Sequence, residues 1–359
     1  MKSQQNPIFN IIFLFLLGTK TITIETRSPH RPIDPLIPCL SVQWKGDNTV
    51  YTYKSFYYEE YPTFHIFDEQ YFNKHKLPSE AITYRFNEKK SLPGQLLSNL
   101  IEQLLAEIQQ KKKRYTHFTI LQHKNFNRRK KCGLIVLKFN DYPFVLKLFI
   151  ETPRTFINPY CKGFEPRFFF MMAGGVNRHI SGITRIKNLE LLNHKISSNK
   201  NWQSRVETPR KWFWTPKNSK WLHIVGKNIG NKEKTTTTLP GTYAIIADAI
   251  NTDQEMVMSQ KKRNKIIMQL CNDLDVIVDP HADNFIFKYD ENKKDFTIVI
   301  VDTEHFPTIV GLKEKIKFRD HRSWYLYLAG KCFHDAYFRT KNQRYAAQTK
   351  THNCTIESS

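Results

Sequence analysis

Acidic residues are scarce in this chain: 33 Asp and Glu stand against 55 Lys and Arg, a formal net charge of +22 over 359 residues. Such an excess attracts phosphates, nucleic acid or an anionic membrane face. The lysines, however, are spread along the whole chain rather than gathered in a stripe. No dedicated nucleic-acid surface is therefore expected, while membrane-surface association remains compatible with the charge. Cysteine is sparse too. Cys39, Cys132, Cys161, Cys271, Cys332 and Cys354 form no CxxC and no Cys/His zinc spacing, which excludes a disulfide scaffold and argues against a structural metal. Cys271 and Cys332 fall in apolar, helical contexts and read as buried thiols. No apolar run reaches the roughly 20 residues that span a bilayer, and there are no internal repeats. What is plentiful is apolar bulk, 40% of the chain with 26 Phe and 16 Tyr, enough for a globular core in one or two domains.

The N-terminus places Lys2 before an apolar run from Ile8 to Leu17, followed by Gly18-Thr19. That pattern fits the h-region of a secretory signal, although no small-x-small cleavage site follows. Residues 1–26 are accordingly assigned to targeting, which implies export to the periplasm or outside the cell. If the run is instead a buried strand continuing through Thr21–Ile24, a cytoplasmic location follows. Four prolines in residues 27–40 make an extended linker. Residues 27–115 form an N-terminal extension whose main element is an amphipathic helix. Ser91 offers its N-cap and Pro93 its first turn. Leu96, Leu97, Leu100, Ile101, Leu104, Leu105 and Ile108 keep the 3.6 period, with Glu102, Gln103, Glu107 and Gln109 outward. The run Lys111–Arg114 suits the negative end of that helix.

Beyond Thr116 the pattern is strand-like, from Phe118–Leu121 to Gly133–Phe139, the turn Asn140-Asp141, and Pro143–Ile150, which predicts a hairpin. A helix follows over about 183–196, then aromatic, basic Trp212–Trp221. The Trp212-Phe213-Trp214 triplet reads as core packing with a basic rim of Arg210, Lys211 and Lys217, base stacking being the alternative. Strands are expected at Trp221–Gly226 and Tyr243–Ile246, separated by a polar loop at Lys232–Thr238. Lys261–Asp275 places Ile266, Ile267, Leu270 and Leu274 on one helical face. A second hairpin joins Phe285–Phe287 to Phe296–Val301, a last helix covers about 319–338, and residues 341–359 form a flexible tail.

Two short stretches carry chemistry. Asp279-Pro280-His281-Ala282-Asp283-Asn284 sets an Asn five residues after an Asp, and the run Ile298–Val301 ends in Asp302, eighteen residues beyond Asn284. Taken singly each has an ordinary reading: Asp and Asn favour turns, Lys147 can snorkel from a strand, His281 orders its loop, and Asp283 is solvated or capping. Their order says more. A hairpin with a central Lys147 precedes a helix, two strands, an apolar connector, a long helix, the Asp279 loop, a hairpin and Asp302.

That order resembles the protein-kinase-like superfamily. Asp279–Asn284 resembles the catalytic loop, Asp302-Thr303-Glu304 stands where kinases carry Asp-Phe-Gly, and Val145-Leu146-Lys147 resembles the Val-Ala-Ile-Lys strand. The His after Pro280 is most similar to UbiB-type atypical kinases, and aminoglycoside and choline kinases also place a His in this loop. The resemblance covers residues 116–338. It implies an α+β, two-lobed kinase-like fold, with a β-rich N-lobe over 116–250 and a short helical C-lobe over 251–340. It further implies a Mg-ATP-dependent phosphotransferase. Asp279 would be the catalytic residue at the acceptor hydroxyl, Asn284 and Asp302 would hold Mg²⁺, and Lys147 would grip the phosphates of ATP. Its partner carboxylate is Glu165 or Glu190. Pro166 disfavours a helix interior at Glu165, so Glu190 is preferred.

The chain also departs from the pattern. Ile277-Val278 precede Asp279 in place of His-Arg, Glu304 replaces the glycine, and no Gly-x-Gly-x-x-Gly precedes Lys147, only Gly133 beside the basic run Asn127–Lys131. Gly94-Gln95-Leu96-Leu97-Ser98 is similar to the Gly-Gln segment of UbiB proteins, with Leu92 where those carry Lys. These departures carry the alternatives: a catalytically inactive pseudokinase, or an exported basic interaction protein. ATP is scarce outside the cytoplasm, so an exported kinase would work in another cell's ATP-containing compartment or would have lost catalysis. Only 57 residues follow Asp302, which points the unknown acceptor toward a small molecule or lipid more than a protein.

Overall fold

Apolar residues run almost unbroken through 132–139 and 144–150, so successive side chains supply apolar groups to both faces of a strand, and the structure builds its central sheet there. The structure, a computed structural model, describes residues 39–54, 67–161, 176–229, 232–251, 255–290, 295–310, 315–330, 333 and 355–358. The targeting segment at 1–26, Glu165 and Cys332 lie outside the described residues, as do most of the last helix beyond residue 330 and most of the tail.

Along the chain come strands β1 (Cys39–Trp44) and β2 (Thr49–Lys54), helix α1 (Glu69–Lys74), β3 (Ala81–Tyr84), β4 (Asn87–Pro93) and helix α2 (Gly94–Gln109). Then follow β5 (Phe118–Gln122), β6 (Phe126–Asn127), β7 (Cys132–Phe139) and β8 (Phe144–Ile150). Helices α3 (Pro153–Cys161), α4 (Val176–Ser181) and α5 (Thr184–Ser197) precede β9 (Val206–Glu207), β10 (Lys211–Trp214), β11 (Trp221–Ile229), β12 (Lys232–Pro240) and β13 (Thr242–Asp248). Helix α6 (Gln260–Asp273), a 3₁₀ turn (Ala282–Asn284), β14 (Phe285–Asp290), β15 (Asp295–Ile300) and α7 (Phe306–Val310) lead to a helix over 321–330 and β16 (Thr355–Ser358). The fold is thus α+β.

The central sheet runs β10-β13-β8-β7-β5, with β6 also on β7, and its neighbours are antiparallel. Period-2 alternation gives it two buried faces. Leu137, Phe139, Leu146, Leu148, Ala244 and Ile246 face α2 through Leu97, Ile101, Leu104 and Ile108. Leu134, Phe149, Phe213 and Ile245 face the other way, onto Leu40, Val42, Leu222 and Ile224 of the second sheet and onto Ile183, just before α5, and Ile186 within it. Further along α5, Leu192 and Ile196 join a third cluster with α6 and the β14–β15 hairpin. One helix therefore belongs to both cores, and it carries the polar groups described below. The Trp triplet is β10: Phe213 and Trp214 are buried, with Trp214 Nε1 donating to Ser98 Oγ at 2.8 Å, and Arg210 pairs with Asp248 at 2.8 Å.

Three sequence expectations change. Lys232–Thr238 is not a loop but most of β12, paired residue by residue with β11 from Trp221↔Pro240 to Ile229↔Lys232. Its threonines are β-branched and favour the extended backbone that a neighbouring strand stabilises. Ser91 does not cap α2: it pairs with Thr83 in the β3–β4 ladder, and Pro93 takes the N-cap position. Glu107 does not face solvent. It is buried, and its carboxylate accepts from Thr116 N at 3.1 Å and Lys112 Nζ at 3.0 Å, closing the turn after the helix.

Two measurements test this packing. At Gly94 an added Cβ would lie 1.8 Å from the carbonyl oxygen of Pro78, a backbone atom that cannot swing aside. Helix propensity alone would make Gly94→Ala stabilising by about 1 kcal/mol. The clash reverses that sign, and a loss of about 3 kcal/mol is expected in urea denaturation; a raised urea midpoint would contradict the close approach. Glu151, the residue after β8, is buried, and burial pushes its carboxyl up to about 8 against the opposing Thr155 hydrogen bond and the Lys130 charge. A raised folded-state pKa means a stability contribution present below about pH 4.3 and lost as pH climbs toward 8. Glu151→Gln should therefore flatten the stability profile between those pH values, and an unchanged slope would show that Glu151 ionises freely in the fold.

Candidate functional site

Lys147 sits at the middle of β8, between Val136 of β7 and Ile245 of β13. Alternation turns it away from Leu146 and Leu148 and toward the face that also carries Phe149. Its ammonium donates to Asp302 Oδ2 at 2.7 Å, a contact between residues 155 apart in sequence. Asp302 arrives there because β15 pairs with β14 from Phe285↔Ile300 onward, which releases residues 301–305 past the end of the hairpin. The same hairpin fixes the Asp279 loop beside it: Asn284 O accepts from Val301 N at 2.9 Å. Within the loop, Asn284 Nδ2 donates to Asp279 O at 3.0 Å, and His281 Nδ1 accepts from Asp283 N at 3.3 Å as the cap of the 3₁₀ turn. Asp279 is buried; Asp283 is exposed. Lys147, Asn284 and Asp302 thus gather around one hairpin end.

Glu190 does not join them. Its carboxylate takes Tyr71 Oη at 2.6 Å and His75 Nε2 at 2.9 Å, and Lys147 is paired with Asp302 instead. The reason is helical phase: five residues at 3.6 per turn put Glu190 roughly 140° round α5 from Arg185. The buried stripe of α5 is Arg185, Asn188, Leu189, Leu192 and Ile196, so the helix presents a cation where the kinase resemblance calls for a carboxylate.

Arg185 is 1% exposed. Its Nε donates to Asp302 Oδ1 at 2.9 Å and its Nη2 to Glu304 Oε2 at 2.8 Å. Glu304 also accepts from Ser181 Oγ. Lys211 of β10 lies beside this pair, donating to Thr303 Oγ1 at 2.7 Å and Val301 O at 3.1 Å, while Thr303 Oγ1 donates to Arg185 O at 2.6 Å. Asn188 Nδ2 reaches both Ile277 O at 2.9 Å and Thr303 O at 3.0 Å, so one amide clamps the approaches to Asp279 and Asp302 together. Three basic side chains therefore stand against two carboxylates. Burial raises the Asp302 carboxyl, but Arg185 first, then Lys147 and Lys211, overcome it and hold Asp302 well below the usual range. Burial pushes Lys147 and, more strongly, Lys211 below the ordinary lysine value.

Arg185 and Asn188 carry no motif in the sequence, and Glu304 stands there only as a lost glycine; Lys211, expected in the basic rim of the Trp triplet, is instead buried against Thr303 and Val301. A signal existed: Arg185 and Asn188 share the helical stripe of Leu189, Leu192 and Ile196, where polar residues need a buried partner. The partner, over a hundred residues away, had no local trace.

The donor set fits phosphates better than a metal. Lys147 is the partly open cation of the cluster, at 22% side-chain exposure, and suits an anion entering from that side. For Mg²⁺ the fit is poor. Both oxygens of Asp302 are already engaged by Arg185 and Lys147, and among the described residues no group of three or more His, Cys, Asp or Glu could hold a metal ion. A dication about 4 Å from a guanidinium at an effective dielectric near 20 is opposed by roughly 8 kcal/mol. No family model, curated protein or solved structure matches this chain, so the geometry carries the functional reading. Among the described residues no helix is long and apolar enough to cross a membrane.

Removing the carboxylate should expose how much depends on it. Asp302→Asn leaves Arg185 and Lys147 buried with half their compensation, and a loss of about 3–5 kcal/mol is expected in chemical denaturation at pH 7. The depressed pKa gives the sign of the pH effect: the contribution is present above about pH 3.9 and fades as pH falls through the lower folded value. Wild type and variant should therefore converge in strongly acidic buffer. A variant as stable as wild type at pH 7 would show that the cluster is not held in solution.

Proposed function

We propose that this chain is a kinase-like, two-lobed protein that binds ATP, with residues 116–250 and 251–340 as its lobes, and that binding rather than metal-dependent turnover is its activity. The observation that carries the reading is the contact of Lys147 with Asp302 at 2.7 Å, since a kinase-like site requires its strand lysine and its post-hairpin aspartate in one place. The ordering of the Asp279 loop by Asn284 and the following hairpin supports it further. Against turnover stands Arg185, which pairs with Glu304 and takes up Asp302, the carboxylate that would carry the magnesium with Asn284.

The second reading is an active Mg-ATP phosphotransferase of atypical kinase type, favoured by the intact Asp279-to-Asn284 spacing. Asp279 would then orient the hydroxyl of an unknown small-molecule, lipid or protein acceptor, and Asn284 and Asp302 would bind Mg²⁺ after Arg185 withdrew.

Thermal denaturation with ATP separates these readings. Wild type should gain stability with millimolar ATP, by about 2.7 kcal/mol when ligand reaches 100 times its dissociation constant, and Lys147→Gln should lose that gain. Phosphate release or transfer should stay at background. Turnover abolished by Asp279→Asn would replace the binding role with the phosphotransferase, and absence of any ATP effect on wild type would remove the nucleotide reading altogether.

A further inference from the structure

A kinase-like nucleotide site ordinarily meets its phosphates through a divalent cation held by the aspartate after the hairpin. Here that aspartate is held from behind by Arg185, a residue that neither the catalytic-loop motif nor the strand lysine would single out. Three observations converge on it. Arg185 is 1% exposed, with its Nε and Nη2 on Asp302 and Glu304. The Phe149 ring lies 5.7 Å from its guanidinium carbon, which fixes the plane of the group by packing. Its Nη1 is buried with no hydrogen-bond partner among the described residues, so its donor capacity exceeds what the two carboxylates take up, and such an unused buried donor is costly. An arginine cannot give up its proton. The positive charge behind Asp302 is therefore permanent, as a bound metal's would be, and is supplied by the chain.

We infer that Arg185 stands in for the divalent cation, so that a nucleoside triphosphate binds at Lys147 without Mg²⁺. The inference rests on the nucleotide reading above and adds to it the ionic form of the ligand: free ATP⁴⁻ rather than Mg-ATP. Arg185 acts as a positioning residue. It neutralises Asp302 and Glu304, which would otherwise repel the phosphates, and leaves the more exposed Lys147 to meet them. An arginine fixed by two carboxylates and an aromatic face also accounts for Glu304 in place of glycine: the second carboxylate accepts from Nη2 while Asp302 accepts from Nε.

The test uses the full chain and isothermal titration calorimetry, with ATP in excess EDTA and ATP in excess Mg²⁺. Wild type should bind in both, with dissociation constants within about threefold. Arg185→Gln should bind ATP at least tenfold more weakly in EDTA and recover in Mg²⁺. It should also gain stabilisation by Mn²⁺ alone, which wild type lacks, because Asp302 and Glu304 are freed. That new metal response is a readout a purely structural arginine would not produce. Wild-type binding at least tenfold tighter in Mg²⁺ than in EDTA would overturn the inference and leave the nucleotide reading standing. Binding in neither condition would overturn both. Should Arg185→Gln fail to fold, judged by circular dichroism, the wild-type comparison still decides, together with Lys147→Gln, which must lose EDTA-phase binding at least tenfold for the inference to hold.

Discussion

The carboxylate of Asp302 between Lys147 and Arg185 is the contact on which the arrangement of the site depends. Its partners come from a central strand of the main sheet and from a helix packed beneath it, and Asp302 itself follows a separate hairpin. None of the three can be charged and buried alone, since an isolated ion in the interior costs several kcal/mol. They therefore dock together or not at all. The apolar packing of α5 into two cores supplies the driving force, with Ile183 and Ile186 at one end and Leu192 and Ile196 at the other. The ions select the register in which that packing occurs.

Around this contact the polar groups form a connected network. Asn188 ties the segments before Asp279 and after Asp302 to one helix position, Thr303 passes a hydrogen bond from Lys211 to the backbone of Arg185, and Ser181 braces Glu304. In a low-dielectric interior such a network is stabilising only when its members are satisfied together. The loop from Asp279 to Asn284 inherits its position from these clamps and from the hairpin, not from its own turn propensity. That explains how a loop with Ile277-Val278 before it, in place of the polar pair of the kinase pattern, still lies beside Asp302: Phe306 N donates to Ile277 O, and Val278 bridges to His305.

The electrostatic character of the site follows from which residue α5 turns inward. Had the inward position carried a carboxylate, Lys147 would have a helical partner and Asp302 would be open to a metal. With Arg185 there, Lys147 is given to Asp302, and Glu190 is left outside with His75 and Tyr71. The sign of the residue on that one helical stripe decides whether Lys147 pairs with the helix or with Asp302.

The apolar strands of 132–150, the 3.6 period of the α2 leucines and the apolar face of α6 were legible because each is a local pattern with a local cause: the element meets a core on one side or, in the central sheet, on both. The hairpins and their order were legible for the same reason. The threonine run of β12 was not, since its extended form depends on β11 beside it, nor was the burial of Glu107, whose partner Thr116 lies past the end of the helix. The chemistry divides along the same line. The chain by itself determined which residues could bear charge and in what order they arrive, because spacing within a strand or loop is a property of neighbouring residues. Only the tertiary structure decided that Asp302 belongs to Lys147 and Arg185 and that Glu190 does not, because ion pairing between residues more than a hundred positions apart depends on helical phase and packing, which no local stretch of sequence records.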